Sequence, residues 1–339
     1  MVVTDLTLLF DYDDTLQENQ HDYSWPQLDF MKFVRGKFRT ESPNGHLDYG
    51  EAQLFFAEYM LRALDFHAPD VQTMLKMVAE QHESLGGAKE SFPDALQATY
   101  TTICEGAHIT PNGVDIVSVL TLGKRVTPSQ TRAPDVKTLI DLEASIDSAR
   151  VKDLGFSKER FPGSLRLAYL AVCEQLGVTP DEADAREAYR IGTEAFDVDN
   201  YRRKGLLKGV PETLDYLADR GASMVLVTKG DREVQKNKLA ATDVKRWFGD
   251  RMHIVPKKDA QVIHDVLERE GIQDYSSVWH VGNGLKSDVE PAISAGIGAI
   301  YIPRETWHFE RSGAKRPENG ARFIELKRFS DLRQVYDLL

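Results

Sequence analysis

Cysteine and long apolar runs are scarce in this sequence. Its two cysteines, Cys104 and Cys173, lie in helix-like stretches and form no CxxC pair, as expected of buried thiols in a reducing compartment. It has no run of about 18 apolar residues, the length needed to span a bilayer. The N-terminus also lacks the basic segment and long apolar segment of a secretory signal. We therefore expect a soluble, cytoplasmic protein that has no membrane partner.

The sequence contains fewer basic than acidic residues. The formal net charge is -11 and the pI is near 5.4, which argues against nucleic acid as a partner, because binding a polyanion needs a basic surface. A small phosphorylated ligand is compatible with this charge, since a few local groups can hold it. The chain has no internal repeat or low-complexity tract. With 339 residues, 42% of them hydrophobic, it is long enough for a large core, and we expect two domains.

Short apolar runs typical of β-strands occur near the start of the chain and throughout its last third. They lie at residues 6–10, 223–228, 252–255, 278–281, 299–302 and 323–326. Most of the later runs are separated by amphipathic helical patterns such as VPETLDYLADRG and DAQVIHDVLEREG. Because strands alternate with helices, this pattern predicts an α/β fold with a doubly wound parallel sheet.

Residues 17–204 have helical periodicity and almost no convincing strand. Candidate helices lie at residues 50–66, 69–86, 93–107, 134–151, 163–177 and 181–196. The stretch LTLGKRVTPSQTRAP, residues 120–134, has little periodicity and predicts a loop. We therefore predict an α/β core domain made of residues 1–16 and 205–339, and an all-helical cap domain, residues 17–204, inserted after the first strand. A domain inserted there would cover the end of that strand as a lid.

The first apolar run ends in a cluster of acidic residues. In LTLLFDYDDTLQ, Asp11, Asp13 and Asp14 are followed by Thr15. Asp is depleted in strands, and crowded carboxylates repel one another unless a cation or a proton intervenes. One interpretation is a Mg²⁺ site at the carboxyl end of a parallel strand, where open α/β sheets place their ligands. The other is a solvated, Asp-rich turn.

The second apolar run ends in residues suited to binding phosphate. In SMVLVTKGD, Thr228 is followed by Lys229 and Gly230, so a hydroxyl group and backbone N–H groups meet at a turn into a helix. This combination binds phosphate oxygens. The alternative is that Thr228 only caps the next helix.

Two later strand ends carry lysines and oxygen donors. MHIVPKKD places Lys257 and Lys258 just beyond a strand, where they either reach the site or form a solvated pair. VWHVGNGLKSDVEPA places Asn283 and Asp288 after another strand. Their oxygens suit Mg²⁺, although both residues also fit an ordinary turn followed by a helix. Four such groups at the strand ends of one sheet favour a site for phosphoryl transfer.

The order of these four groups resembles that in the haloacid dehalogenase-like (HAD) hydrolases. FDYDDTL is similar to the first motif of the family, DxDxT, and GNGLKSD is similar to the fourth, GDxxxxD. Thr228 after an apolar strand resembles the second motif, and Lys258 before a helix resembles the third. The resemblance covers residues 2–16 and 205–339, and it is strongest to a phosphatase-like branch with a helical C1-type cap. The cap segment itself resembles nothing that we can name.

The resemblance implies a role for each residue at the strand ends. Asp11 would be the nucleophile that forms an aspartyl-phosphate, and Asp13 would be the general acid and base. Lys258 would offset the charge on Asp11 and on the phosphate, with Lys257 as the alternative. Lys238, in the helix after the second motif, would be a solvated residue. The substrate phosphoryl group would be held by Thr15, Thr228, Lys229 and Gly230.

Mg²⁺ is the cofactor that the resemblance implies. It would be bound by a carboxylate oxygen of Asp11, the backbone carbonyl of Asp13, and Asp288, together with water and the phosphate. The fourth motif of the family usually begins with Asp, and here that position is Asn283. An amide oxygen can still ligate Mg²⁺, but the site loses one negative charge.

We therefore expect a Mg²⁺-dependent phosphatase, a phosphoric monoester hydrolase, that acts on a small phosphorylated metabolite through an aspartyl-phosphate. Dehalogenation of a 2-haloacid is disfavoured by Asp13, since the dehalogenase branch lacks the second aspartate and needs no metal. Phosphonate cleavage would require a cap lysine that forms a Schiff base, and no lysine of the cap has a recognisable setting. A non-catalytic binding or regulatory protein with the same fold is the remaining alternative, supported only by Asn283. The sequence predicts neither the substrate nor the oligomeric state.

Overall fold

A computed structural model describes residues 6–39, 47–64, 68–127, 132–304, 315–317 and 320–339. The chain forms two compact units. The sheet unit comprises Met1–Gln20, Leu154–Lys158 and Phe196–Leu339, and the helical unit comprises His21–Asp153 and Glu159–Ala195. Within the described ranges, no helix is both long enough and apolar enough to cross a membrane.

The sheet unit contains a six-stranded parallel sheet. Its strands run in the order β3-β2-β1-β4-β5-β6, and every pair of neighbours is parallel. The strands are β1 (Thr7–Phe10), β2 (Ser223–Lys229), β3 (Met252–Val255), β4 (Val278–Gly282), β5 (Gly298–Tyr301) and β6 (Phe323–Glu325). The six predicted strands and the predicted α/β fold are confirmed.

The helical unit contains all six of the helices predicted for this region. Its α-helices are α1 (His21–Phe38), α2 (Tyr49–Leu64), α3 (Val71–Ser84), α4 (Phe92–Gly106), α5 (Gly113–Lys124), α6 (Val136–Leu154), α7 (Arg160–Leu176) and α8 (Glu182–Thr193). Two of them, α1 and α5, are absent from the sequence-based assignment. In α1 the interior Pro26 is a helix-breaking signal that the tertiary structure overrides.

The predicted loop at residues 120–134 is wrong over its first part. Helix α5 continues to Lys124, so residues 120–124 are helical. Only Val119 and Gly123 of α5 are buried, whereas Val114 and Val117 are 77% and 62% exposed. Apolar residues therefore lie on all sides of this helix and give no amphipathic period from which it could be recognised. Residues 128–131 of the predicted loop lie outside the described residues.

Both faces of the sheet are buried under apolar side chains. Leu8 and Phe10 of β1 belong to one apolar cluster and Leu9 to the other, because successive side chains of a strand point to opposite faces. The first cluster includes Leu239 and the second includes Ile263, each from a helix of the sheet unit. The α-helices described in the sheet unit are α9 (Val198–Lys204), α10 (Val210–Asp219), α11 (Arg232–Ala241), α12 (Lys245–Phe248), α13 (Ala260–Arg269), α14 (Glu290–Ser294) and α15 (Leu332–Val335).

The positions at which the chain passes between the two units differ from the predicted domain boundaries. Those boundaries stay a prediction. The sheet unit continues to Gln20 and resumes at Phe196, so α9 belongs to it. The side chain of Gln17 ties α9 to the end of β1, since its Nε2 donates to the carbonyl oxygens of Tyr201 (2.9 Å) and Gly205 (3.0 Å). The sheet unit also includes Leu154–Lys158, a short segment that begins at the last residue of α6 and ends before α7.

Candidate active site

The predicted site residues converge where the central strands of the sheet end. Asp11 directly follows β1, and its backbone N–H donates to the carbonyl of Val281 in the neighbouring β4 (2.9 Å). Asn283 directly follows β4, and Thr228 is the penultimate residue of β2. Because β2, β1 and β4 are adjacent and parallel, their carboxyl ends lie at one edge of the sheet.

Lys258 links the two buried carboxylates of the site. Its Nζ donates to Oδ1 of Asp11 and to Oδ1 of Asp288, the latter at 2.7 Å, and its side chain is 1% exposed. Lys257 instead points to solvent, with a side chain 72% exposed that pairs with Asp259. Of the two lysines that follow β3, Lys258 is therefore the one that reaches Asp11.

Burial and charge set the protonation of this cluster. Burial raises the pKa of Asp11 to about 7, with Lys258 opposing the shift and Asp288 adding to it. Burial alone would lower the pKa of Lys258, but Asp11 and Asp288 raise it above its usual value. Burial alone would raise the pKa of Asp288, but Lys258 holds it below its usual range. A single buried ammonium is thus shared by two carboxylates, and Asp11 is the one whose negative charge is incompletely offset.

Thr15 and Asn283 complete the contacts of Asp11. The hydroxyl of Thr15 lies 3.1 Å from Oδ2 of Asp11 and 3.2 Å from Oδ1 of Asn283, and it donates to one of them at a time because it carries one proton. Both Thr15 and Asn283 are buried. Thr15 therefore orients the nucleophile predicted at Asp11.

The loop after β4 is shaped to bring Asp288 into the cluster. Gly284 donates its backbone N–H to Oδ2 of Asp288 (2.8 Å). A Cβ atom at Gly282 would lie 2.4 Å from the Cγ of Asp288, closer than side chains approach. Any other residue at position 282 would push this carboxylate away, so glycine is required at the end of β4.

Asp13 is held by two side chains of α11 that the sequence analysis did not select. Lys238 Nζ donates to its Oδ1 and Gln235 Nε2 to its Oδ2, both at 2.7 Å. Gln235 also accepts a hydrogen bond from the hydroxyl of Thr228 (3.1 Å) through Oε1. The prediction of a solvated Lys238 is wrong, since this residue is 3% exposed. In the sequence this helix is mostly polar. Only the apolar Val234 and Leu239, on the same side of the helix as Gln235 and Lys238, indicate its buried face.

Asp14 stabilises the turn that follows β1 and is not one of the predicted catalytic residues. It has a left-handed backbone with φ of 59°, and its backbone N–H donates to the carbonyl of Gln17 (2.6 Å). Its carboxylate accepts hydrogen bonds from the backbone of Asn19 (2.8 Å) and the side chain of Gln20 (3.0 Å). Burial and the nearby Glu18 raise the pKa of Asp14 to about 7. Since Asp11 and Asp14 are both buried, the solvated Asp-rich turn is excluded.

The residues after Thr228 are only partly available to a ligand. The N–H of Gly230 donates to the carbonyl of Val255 (3.1 Å), so it does not provide the free donor that the sequence analysis assigned to it. The Nζ of Lys229 lies 4.2 Å from the centre of the Phe156 ring, a cation–π contact with the segment between α6 and α7. The same segment continues to Lys158, whose Nζ pairs with Glu233 (2.6 Å).

His280 is a buried residue of β4 that lies outside the four sequence motifs. It is 1% exposed, and neither ring nitrogen has a hydrogen-bond partner among the described residues. Burial lowers its pKa to about 4, with Asp288 opposing this shift and Lys258 adding to it. The imidazole is therefore neutral beside the charged cluster at neutral pH.

The donors at the strand ends suit a hard divalent cation. Within the part of the chain that the structure describes, no three His, Cys, Asp or Glu side chains are grouped to hold a metal. The donor set consists instead of two carboxylates, from Asp11 and Asp288, and the amide of Asn283. Oxygen donors of this kind fit Mg²⁺, which is usually bound by one or two carboxylates plus water and phosphate. The raised pKa of Asp11 agrees with this, since a cation there would stabilise the ionised carboxylate.

Comparisons with known proteins point to one family. The sequence profile described as haloacid dehalogenase-like hydrolase matches residues 113–296, more than half of the chain. Among solved structures, a haloacid dehalogenase-like family hydrolase from Xanthomonas campestris is 17% identical, with a TM-score of 0.55 over 100% of this chain and 93% of that chain. No curated protein matches.

Two further solved structures are similar at lower TM-scores. A 2-haloacid dehalogenase from Pseudomonas syringae pv. Tomato DC3000 is 17% identical, with a TM-score of 0.43 over 98% of this chain and 99% of that chain. A putative HAD-hydrolase from Bacillus subtilis bound to magnesium is 12% identical, with a TM-score of 0.44 over the same shares of the two chains.

Proposed function

Because this chain belongs to the haloacid dehalogenase-like hydrolases, we propose that it is a Mg²⁺-dependent phosphatase of small phosphorylated metabolites. The observation that supports this function best is the carboxylate of Asp13, two residues from Asp11 and held by Lys238 and Gln235. It places a second carboxyl group beside the nucleophile, and phosphate ester hydrolysis requires such a group.

Dehalogenation and phosphate ester hydrolysis, the two reactions that the family suggests, differ in whether the leaving group needs a proton. A halide departs as a stable anion and needs no proton, whereas the alkoxide of a phosphate ester must be protonated as it leaves. A positioned carboxyl group that gives this proton contributes about 10²–10⁴-fold to the rate. Asp13 therefore has a function in phosphate release that halide release does not require.

The reaction then has two steps. A carboxylate oxygen of Asp11 attacks phosphorus, the bond from phosphorus to the leaving oxygen breaks, and Asp13 gives its proton to that oxygen. Water next attacks the aspartyl-phosphate while Asp13 takes a proton from it, which releases inorganic phosphate and restores Asp11. Lys258 offsets the negative charge of Asp11 and of the phosphoryl group in both steps. The hydroxyl of Thr228 turns from Gln235, its acceptor in this structure, and donates to a phosphoryl oxygen.

Mg²⁺ fits the proposed reaction as a source of positive charge. Asp11, Asp288, Asn283 and the backbone carbonyl of Asp13 would hold it, and when bound it offsets the charge of the phosphoryl group. Although Lys258 lowers it, the pKa of Asp11 stays above its usual value. A second cation at this site would stabilise the ionised carboxylate of Asp11.

Two product assays test this proposal. Purified protein is incubated with a panel of small phosphate monoesters and separately with 2-haloacids, with and without Mg²⁺, and released phosphate and halide are measured. We expect phosphate release that depends on Mg²⁺ and is lost in the Asp11→Asn variant. Halide release without phosphate release would assign the chain to the dehalogenases. Release of neither product by folded protein would support the non-catalytic alternative.

A further inference from the structure

A groove follows the outer edge of β3, the last strand on one side of the sheet. Its volume is about 380 Å³, and it is lined by all four residues of β3 and by residues of α11, α12 and α13. β3 pairs with β2 on one side, and among the described residues no strand pairs with its other side. We call this feature the β3 groove.

The backbone of β3 presents free hydrogen-bonding groups to the groove. The carbonyls of Arg251 and Val255 accept bonds from the β2 side, from Leu226 and Gly230 respectively. Because the groups of a strand alternate between its two neighbours, the N–H and C=O of Met252 and Ile254 face the outer edge. An edge of this kind is a template for another extended chain.

The walls of the β3 groove carry positive charge on both sides. Arg232 and Lys236 lie one turn apart on α11, and Arg269 ends α13. Helices α11 and α13 contribute to the apolar clusters on opposite faces of the sheet, so the cations flank β3 from both faces. Lys245 of α12 adds a fourth cation to the lining.

These cations are mostly unpaired. Arg232, Lys236 and Arg269 have no ion-pair partner among the described residues, whereas Lys245 pairs with Asp250 (3.0 Å) at the surface. The acid that follows Arg269, Glu270, is already bound by Arg251 (2.5 Å) and His253 (2.6 Å). The β3 groove therefore carries a local excess of positive charge, although the net charge of the chain is -11. Its lining also includes the apolar residues Leu239 and Ile254.

We propose that the β3 groove binds an acidic peptide segment in an extended conformation, which pairs with β3 as an additional strand. Main-chain hydrogen bonds to β3 would give affinity, and alternate side chains would give specificity, with acidic ones at the cationic walls and apolar ones on the floor. A second copy of this chain is a poorer occupant, because edge-to-edge pairing would bring the two sets of cations together. Nucleic acid is disfavoured by the negative charge of the whole chain.

Fluorescence anisotropy with labelled peptides tests this inference. The probe is a pool of short peptides in which Glu alternates with randomised Val, Ile and Thr, and the control pool carries Lys in place of Glu. We expect the Glu pool to bind the full chain and the Lys pool not to bind. Raising the salt concentration to about 0.5 M should weaken binding, since exposed charge pairs are screened there.

Charge-reversal variants assign the binding to the groove. Arg232→Glu combined with Lys236→Glu should weaken binding about tenfold or more. Lys327→Glu, which reverses an exposed lysine outside the lining, should leave it unchanged. Peptides N-methylated at alternate residues should lose affinity, because they cannot donate to a strand edge.

Three results would overturn the inference: no binding of the Glu pool, equal binding of both pools, or equal weakening by the groove and control variants. Unchanged affinity of the N-methylated peptides would overturn the strand-pairing part. The hydrolase activity is expected to stay the same in every variant, so the inference is tested independently of the proposed function.

Discussion

The ammonium of Lys238 lies 2.7 Å from Oδ1 of Asp13, although 225 positions separate the two residues in the sequence. Lys238 also donates to Oδ1 of Asn19 and lies 5.4 Å from the ring centre of Tyr201. These contacts fix the position of the ammonium, and through it the position of Asp13. Lys238 is thus a positioning residue for the acid and base of the proposed reaction.

Lys238→Met should impair the acid function of Asp13. We expect kcat for an alkyl phosphate to fall about tenfold to a hundredfold, because a displaced acid protonates the poor leaving group less well. p-Nitrophenyl phosphate should be affected less, since its leaving group needs little protonation. The measurement is kcat and KM for both substrates, and the control is Lys236→Met, an exposed lysine of the same helix. An equal loss for both substrates would show that Lys238 acts on something other than leaving-group protonation.

Asp11→Asn should abolish turnover and leave the fold intact. An amide is a poor nucleophile, so we expect a loss on the order of 10⁴-fold or more in phosphate release. Removing one charge from a buried cluster of carboxylates should not lower the melting temperature. Phosphate release and thermal unfolding are measured on the same preparation. Activity near that of the wild type, with contaminating phosphatases excluded, would contradict the assignment of Asp11.

Asn283→Asp should strengthen Mg²⁺ binding. A third carboxylate raises the affinity of the donor set for a hard cation, and we expect an affinity about tenfold higher. Without the metal, the same variant should be less stable than the wild type, because the added charge joins Asp11 and Asp288 in a buried cluster.

Thermal unfolding across a Mg²⁺ titration measures both effects without an activity assay. Asn200→Asp, which makes the same change on α9, is the matched control and should show neither effect. An unchanged Mg²⁺ dependence in Asn283→Asp would show that position 283 does not contact the metal.

Glu143 predicts a pH dependence in the helical unit. It is buried, and its Oε2 accepts hydrogen bonds from Gln72 (2.9 Å) and Gln27 (3.2 Å). Burial raises its pKa to about 8, with Asp147 adding to the shift and Arg160 opposing it. A raised folded pKa means that the unfolded chain loses this proton at lower pH than the folded chain. Protonated Glu143 therefore stabilises the folded state fully below about pH 4.5. This contribution to the free energy of unfolding declines above that pH and is lost as the pH rises through about 8.

Glu143→Gln should flatten this dependence. The amide keeps a neutral side chain at every pH, so the variant should gain stability relative to the wild type as the pH rises from about 5 to about 8. Urea unfolding followed by circular dichroism across this range is the measurement. Glu105→Gln, at an exposed position of α4, serves as the control. Parallel stability profiles for wild type and Glu143→Gln would contradict the raised pKa.

The sequence predicts those parts of the site that lie within a few residues of a strand end. Asp11, Thr228 and Asn283 each stand at the end of an apolar run, so local pattern and topology together predict that they meet. Local pattern does not distinguish Lys258 from Lys257, since both follow the same strand. The family resemblance favours Lys258, and the structure shows that the two side chains point in different directions.

Contacts between distant segments are the part that local pattern does not predict. The segment DREVQKNKLAA is mostly polar and has the composition of a solvated helix, yet Gln235 and Lys238 are buried against the end of β1. Their burial follows from partners far along the chain, among them Asp13 and Asn19. The same holds for Gly230, whose N–H is occupied by the neighbouring strand rather than left free at a turn.

The assignment of Leu154–Lys158 to the sheet unit limits how this protein can be taken apart. The chain crosses between the units four times, since the segment interrupts the helical unit between Asp153 and Glu159. A truncation that joins Gln20 directly to Phe196 would therefore delete part of the sheet unit along with the helical one. Lys229 would lose the ring of Phe156, and Glu233 would lose Lys158. A minimal catalytic fragment should retain these five residues, for example within the linker that replaces the helices.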